Sequence, residues 1–115
     1  MPNLDIKLKP ETLRSLDFGD IDVNYTDLGT AFGHPIVLFH IINDLDEDIL
    51  VSFFGGIDHL FVKAGSFTLY DVAANREEPA GARMFEKGTI IQVKSAVGLP
   101  ASGSVYLTVF YATGS

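Results

Sequence analysis

The densest group of acidic side chains in the chain comprises Asp44, Asp46, Glu47 and Asp48. An EF-hand calcium loop starting at Asp44 requires Gly at its sixth position and Glu at its twelfth. Those positions hold Ile49 and Gly55. Asp and Asn favour turns because their side chains accept local backbone N–H groups, so we predict a solvated turn here. A sparser calcium site formed by Asp44, Asp46 and Asp48 is the alternative.

Other catalytic patterns are absent from the sequence. A glycosidase pair needs two carboxyl groups about 5 Å or more apart across one cleft, which neighbours in an exposed turn do not provide. His34, His40 and His59 do not form the HxH or HExxH spacing of a metal site. The GxSxG, GxGxxG and P-loop motifs do not occur. We therefore expect a protein that is not an enzyme and that binds no metal or cofactor.

Composition narrows the class further. The chain has 115 residues, no Cys and a formal net charge of −7. The length predicts a single domain, and the lack of Cys excludes disulfides within the chain. An acidic surface repels phosphate backbones, so we expect no nucleic-acid partner. No apolar run reaches the roughly 18–20 residues of a membrane span, and residues 1–15 lack the apolar segment of a signal peptide, so we expect no membrane association.

Short strands are the elements that would position any functional group. Apolar alternation with period two and short β-branched runs, separated by Gly- and Pro-containing turns, predict strands at 21–26, 36–42, 49–54, 60–63, 67–73, 83–86, 89–97 and 104–112. Such spacing predicts an all-β, antiparallel β-sandwich of seven or eight short strands. Eight strands suit a jelly roll, which we favour, and seven suit an immunoglobulin-like sandwich.

Residues 1–19 differ from the rest and are predicted to form an extended N-terminal arm, ahead of a single β-sandwich domain at 20–115. Pro10 suits the first position of a short helical turn over 10–16. An extended apolar segment needs cover, either as an edge strand of its own sandwich or on a neighbouring subunit. We favour assembly, with an interface formed by Leu4, Ile6, Leu8, Leu13, Leu16 and Phe18.

Five segments between about residues 13 and 112 carry a recognisable pattern: LRSLDFGDI, YTDLGTAFGHP, IINDLDEDILVSFFGGIDHLFVKAGSFTLYDVAAN, KGTIIQVK and GSVYLTVFYA. Their motifs are structural, namely turn glycines, strand alternation, and an Asp and an Asn near a strand end, and no catalytic motif accompanies them. In these segments the chain resembles small accessory virion proteins of tailed bacteriophages. Phe54 departs from the pattern, which often has Asp before the glycine.

The resemblance implies a structural virion protein that decorates or staples the capsid, or that sits at the neck or tail. Its partners would be other copies of itself and virion proteins such as the major capsid protein, after assembly in the host cytoplasm. The competing hypothesis is a small lectin-like, carbohydrate-binding module. That module would need exposed aromatic side chains, for which the candidates are Phe54, Phe61, Tyr70 and Tyr106.

Overall fold

A computed structural model describes residues 7–71 and 85–113. The strands in this part of the chain are β1 (Lys7–Pro10), β2 (Arg14–Asp17), β3 (Thr26–Asp27), β4 (Leu38–Asn43), β5 (Ile49–Ser52), β6 (Leu60–Val62), β7 (Phe67–Asp71), β8 (Gln92–Ser95) and β9 (Ser104–Thr113). One turn of 3₁₀-helix covers Phe18–Asp20. No helix among the described residues is long and apolar enough to cross a membrane.

The strands form two sheets in which all the pairings are antiparallel. Sheet 1 has the order β1-β9-β4-β7, and β2 pairs with β9 further along the same edge as β1. Sheet 2 has the order β3-β8-β5-β6. The two sheets pack together, and the predicted all-β antiparallel sandwich is confirmed.

Alternation of side chains places the core between the sheets. In β4, Phe39 and Ile41 are fully buried, whereas Ile42 between Ile41 and Asn43 is exposed. In β9 the buried residues are Val105, Leu107 and Val109. Sheet 2 supplies the facing layer, with Ile49, Val51, Val62 and Val93.

Aromatic rings close one end of this core. Phe85 lies against three other phenylalanines, with centroid distances of 5.9 Å to Phe32, 5.2 Å to Phe39 and 5.0 Å to Phe53. The backbone of Phe85 also forms an isolated bridge with Ile36. This bridge attaches the segment that begins at Phe85 to the residues just before β4. A strand was predicted at 83–86, and the described part of that range contributes only this bridge.

Two sequence-based predictions were wrong in the first third of the chain. The helical turn expected over 10–16 is absent, because β2 pairs with β9 over residues 14–17. The strand expected at 21–26 is reduced to Thr26–Asp27, because the Asp22 carboxylate accepts the backbone N–H of Asn24 at 2.7 Å and bends the chain. Residues 7–10 and 14–17 thus lie as edge strands of their own sandwich.

Candidate functional site

The outward-facing side of sheet 1 is the most unusual surface of the described molecule. By register, its side chains come from alternate positions of every strand in the sheet. We call it the outer face of sheet 1, and its residues are Leu8, Pro10, Ser15, Asp17, Leu38, His40, Ile42, Phe67, Leu69, Asp71, Ser104, Tyr106, Thr108, Phe110 and Ala112.

These side chains line up in rows across the strands. One row runs from Tyr106 through Ile42 to Phe67, and another runs from Phe110 through Leu38 to Asp71 at the end of β7. Between them lies a third row, Thr108–His40–Leu69, whose first two members are polar. The His40 ring meets the Phe67 ring edge-on, with centroids 5.3 Å apart. The face therefore consists of two apolar ridges with a narrow polar strip between them.

Four of the large apolar residues of this face are exposed to solvent, and Leu38, Tyr106 and Phe110 are partly exposed. Phe67 is 62% exposed and Leu69 is 52% exposed, and Leu8 and Ile42 are also exposed. Antiparallel sandwiches usually alternate apolar residues inside with polar residues outside. Sheet 1 departs from this rule, because its outer positions are mostly apolar as well. An apolar patch of this kind on a protein surface commonly marks a contact with another protein.

The outer side of sheet 2 provides the internal comparison. Gln92 donates to the Asp27 carboxylate at 2.9 Å across the β3–β8 pair. Asp58 accepts the Tyr25 hydroxyl at 2.6 Å and forms an ion pair with Lys94 at 3.4 Å. This surface combines a polar network with Leu50 and the half-exposed Phe61, whereas the outer positions of sheet 1 are mostly apolar.

The same network shifts two pKa values. Partial burial, together with the bond to the Asp58 carboxylate, raises the pKa of Tyr25 far above its usual range. The Tyr25 hydroxyl, with Lys94, lowers the pKa of Asp58. Both shifts keep the phenol protonated and the carboxylate charged at neutral pH. The pair is therefore a stable hydrogen bond and not a proton-transfer site.

Four of the six residues expected to form an assembly interface lie in the described part of the chain, and Leu4 and Ile6 lie outside it. Leu8 lies on the outer face of sheet 1, opposite Ala112. Leu16 packs partly against the core, and the exposed Leu13 and Phe18 lie between β1 and β2 and in the 3₁₀ turn. Sequence reasoning thus identified one member of the apolar face and missed the contribution of β4, β7 and β9.

A buried ion pair fixes the junction between β1 and β2. The Arg14 guanidinium lies 2.8 Å from one Glu11 carboxylate oxygen, and both side chains are 8% exposed. The other Glu11 oxygen lies 2.8 Å from Nδ1 of His34 and accepts the Gly33 N–H at 3.0 Å. The His34 ring stacks on Tyr111 at 3.5 Å. This cluster ties the strand junction to the 29–34 loop and to β9.

The cluster borders an open cleft of about 740 Å³. The nitrogens of Arg14 are already engaged: Nε donates to Thr30 O and the others to Glu11, Thr12 O and Ala31 O. Gly29 adopts φ +78° directly beside Arg14, and a Cβ there would lie 2.7 Å from the arginine side chain. The arginine is thus fitted tightly into its own chain, and the cluster is structural.

The acidic stretch forms a turn whose carboxylates cap neighbouring loops. Asp48 accepts the Ala64 N–H at 2.8 Å, and Asp46 accepts the Ala101 N–H at 2.9 Å. The fully buried Asn43 donates to Glu47 O and Val62 O and accepts the Leu45 N–H, each at 3.0 Å. Within the described residues, no group of three or more His, Asp or Glu side chains is arranged to hold a metal ion.

The four aromatic candidates for sugar binding lie on different surfaces. Phe54 lies in the 53–56 turn near His59, and Phe61 lies on the outer side of sheet 2. Tyr106 is on the outer face of sheet 1, whereas Tyr70 is on the opposite side of that sheet, near Phe39. They do not form a single stacking platform.

Comparison with protein families, with curated proteins and with solved structures found no match for this chain.

Proposed function

We propose that this protein is a non-enzymatic structural component of the virion of a tailed bacteriophage and that it works through protein–protein contacts. The observation that carries the proposal is the apolar outer face of sheet 1, where Phe67 and Leu69 are more than half exposed. Leaving such a face in water is unfavourable by about 25 cal/mol per Å² of apolar surface. A partner that covers this face would remove this cost.

The arrangement of polar groups supports the same proposal. The strongest ionic cluster, Glu11–Arg14–His34, is taken up with holding the chain together. The carboxylates of Asp46 and Asp48 cap loops. The polar side chains with the closest contacts are thus engaged in the fold, and the apolar face is the surface left for a partner.

We also infer that the sandwich is a jelly roll. If β1 and β2 are counted as one interrupted edge strand, the described residues form eight strands in two four-stranded sheets. In chain order these strands lie in sheets 1, 2, 1, 2, 2, 1, 2 and 1, which is compatible with the two Greek keys of a jelly roll. Jelly rolls recur in viral capsid domains and in lectins, so the fold is compatible with a virion role without requiring it.

Within the virion, we propose a capsid-stabilising decoration protein, or another small head, neck or tail component. Its partners would be further copies of itself and virion proteins such as the major capsid protein. Small structural proteins of this kind usually work as repeated copies in a symmetric assembly. Assembly would take place in the host cytoplasm.

Mass spectrometry of purified particles tests this proposal. A tagged copy of the protein is supplied in trans to an infected culture, as wild type, Phe67→Ser or Phe61→Ser. The particles from each culture are then purified on a density gradient. We expect the wild type and Phe61→Ser in particles at a fixed ratio to the capsid protein, with Phe67→Ser strongly depleted. The proposal would be contradicted if the wild-type protein stayed in the lysate and was absent from the particles. Specific glycan-array binding lost in Phe54→Ser or Phe61→Ser would favour the carbohydrate-binding alternative.

A further inference from the structure

We infer that the outer face of sheet 1 packs against the same face of a second copy of this chain. The inference rests on the proposed function in that it names the partner for the same surface. It concerns the free protein in solution, however, so it can fail while the virion role stands, and the reverse also holds.

Charge is the first argument for a second copy. The chain carries a net charge of −7, so two copies repel each other over most of their surfaces. The outer face of sheet 1 has no Lys, Arg or Glu, and the acidic residues in register with it, Asp17 and Asp71, lie at strand ends. A basic partner would be recognised by a cluster of acidic groups, whereas Asp17 and Asp71 lie at the ends of β2 and β7, the two outermost strands of the sheet. The central part of the face has no carboxylate, so two such faces can meet there without burying a like-charge pair.

Area is the second argument. Four strand positions at about 4.8 Å spacing and roughly seven residues of about 3.4 Å rise give a face of about 450 Å² in projection. The accessible area is larger than this projected area because the side chains protrude from the sheet. It approaches the roughly 600 Å² per partner at the lower end of specific interfaces. A face of this size suits a dimer that forms reversibly and depends on concentration.

The shape of the face suits a twofold axis that runs parallel to the strands. Such an axis places the outward side chains of β7 in one copy over the outward side chains of β1 and β2 in the other. The most exposed bulky side chains, Phe67 and Leu69, then lie over the edge that carries Pro10 and Ser15. Two sheets pack face to face at about 10 Å when their side chains interdigitate in this way.

Sedimentation velocity tests the inference on purified full-length protein. Phe67→Ser on sheet 1 is compared with Phe61→Ser on the outer side of sheet 2, because these phenylalanines are 62% and 50% exposed. We expect wild type and Phe61→Ser to dimerise with equal affinity at about 100 µM protein, and Phe67→Ser to bind about tenfold more weakly. Thermal melts confirm that each variant is folded, since neither ring lies in the core.

The outcomes that would overturn the inference are equally clear. A wild-type protein that sediments as a monomer at about 1 mM has no such dimer. Equal losses in both variants, or a dimer that Phe67→Ser leaves intact, would show that the sheet 1 face is not the interface.

Crosslinking tests the geometry independently. The natural chain has no Cys, so each introduced cysteine is unique. Thr108→Cys lies in the central row of the sheet 1 face, and Lys94→Cys lies on the outer side of sheet 2. We expect a short bismaleimide to link Thr108→Cys into covalent dimers and to leave Lys94→Cys monomeric. Efficient linking of Lys94→Cys, or none of Thr108→Cys, would overturn the face-to-face arrangement.

Discussion

Glu11 is a charged side chain that water barely reaches, and three neighbours compensate its charge. Burial raises the pKa of this carboxyl group, but the bonds from His34, Arg14 and the Gly33 N–H outweigh burial and lower it overall. The charged form is thus the form that the fold stabilises. Removing either ionic partner would leave the other buried without its counter-charge.

We predict that Glu11→Gln destabilises the protein by about 2 kcal/mol at pH 7, since a neutral amide cannot compensate the Arg14 guanidinium. Urea unfolding monitored by tyrosine fluorescence measures the change. The exposed Glu86→Gln removes the same charge and should change the free energy of unfolding by less than about 0.5 kcal/mol. Equal effects of the two substitutions would show that net charge, and not the buried pair, is responsible.

The pH dependence of the Glu11 contribution follows from the direction of its pKa shift. The folded-state pKa lies below the ordinary value of 4.5, so the folded protein binds fewer protons than the unfolded chain. The stabilisation is therefore fully present above that ordinary value and is lost as the pH falls through the folded pKa. We expect the stability gap between wild type and Glu11→Gln to narrow below about pH 4. A gap that stays constant down to pH 2.5 would contradict this.

Asn43 is the second residue whose side chain holds loops together. Asn43→Ala would leave Glu47 O, Val62 O and the Leu45 N–H without their side-chain partner. We predict a loss of about 2–4 kcal/mol in the free energy of unfolding, because buried polar groups would be left unsatisfied. The exposed Asn24→Ala serves as the control. A loss below about 1 kcal/mol would mean that water replaces the amide.

At the scale of elements, the acidic turn between β4 and β5 is a structural cap. Asp46 and Asp48 each hold a backbone N–H of a different loop, so they point away from a common centre. We predict that about 5 mM Ca²⁺ leaves the melting temperature unchanged, whereas specific binding would raise it by mass action. Differential scanning calorimetry measures this. A rise that Asp46→Asn abolishes would instead identify the sparser calcium site.

The edge strand β1 is the element whose removal we expect to weaken self-association more than folding. Deleting residues 1–9 removes most of β1 but keeps Glu11, Arg14 and β2. We predict a loss of about 1–2 kcal/mol, or a fall of roughly 3–8 °C in melting temperature, with weaker self-association because Leu8 leaves the outer face. Unfolding of the truncated chain would place β1 in the core. Unchanged melting and association would make the segment a simple tail.

The sequence predicted these elements where side-chain alternation was strong. The alternation in 104–112 and the apolar run at 36–42 correspond to β9 and β4. The helical turn predicted from Pro10 was wrong, because a proline suits an edge strand as well as a helix start. In an edge strand the N–H that proline lacks is not needed for pairing. The Glu11–His34 contact joins residues 23 positions apart, and no local pattern encodes it. The apolar outer face appeared only when strand register showed which residues share a side.

The whole molecule combines a net charge of −7 with a largely apolar outer face on sheet 1. We predict that raising NaCl from about 20 mM to about 300 mM tightens self-association, because the Debye length shortens from roughly 20 Å to about 6 Å and screens the repulsion between copies. Sedimentation equilibrium at the two salt concentrations measures the dissociation constant. An interface held by ion pairs would show the opposite trend.

The position of β9 in the chain governs when the protein can fold. Among the described strands β9 comes last in the sequence, yet β1, β2 and β4 all pair with it. While the chain grows on the ribosome, β1, β2 and one edge of β4 therefore lack their common neighbour until β9 is made. Folding must follow translation of residues 104–113 and form many distant contacts at once, which is typical of refolding in milliseconds to seconds. A nascent chain that stops before β9 should aggregate or be captured by chaperones.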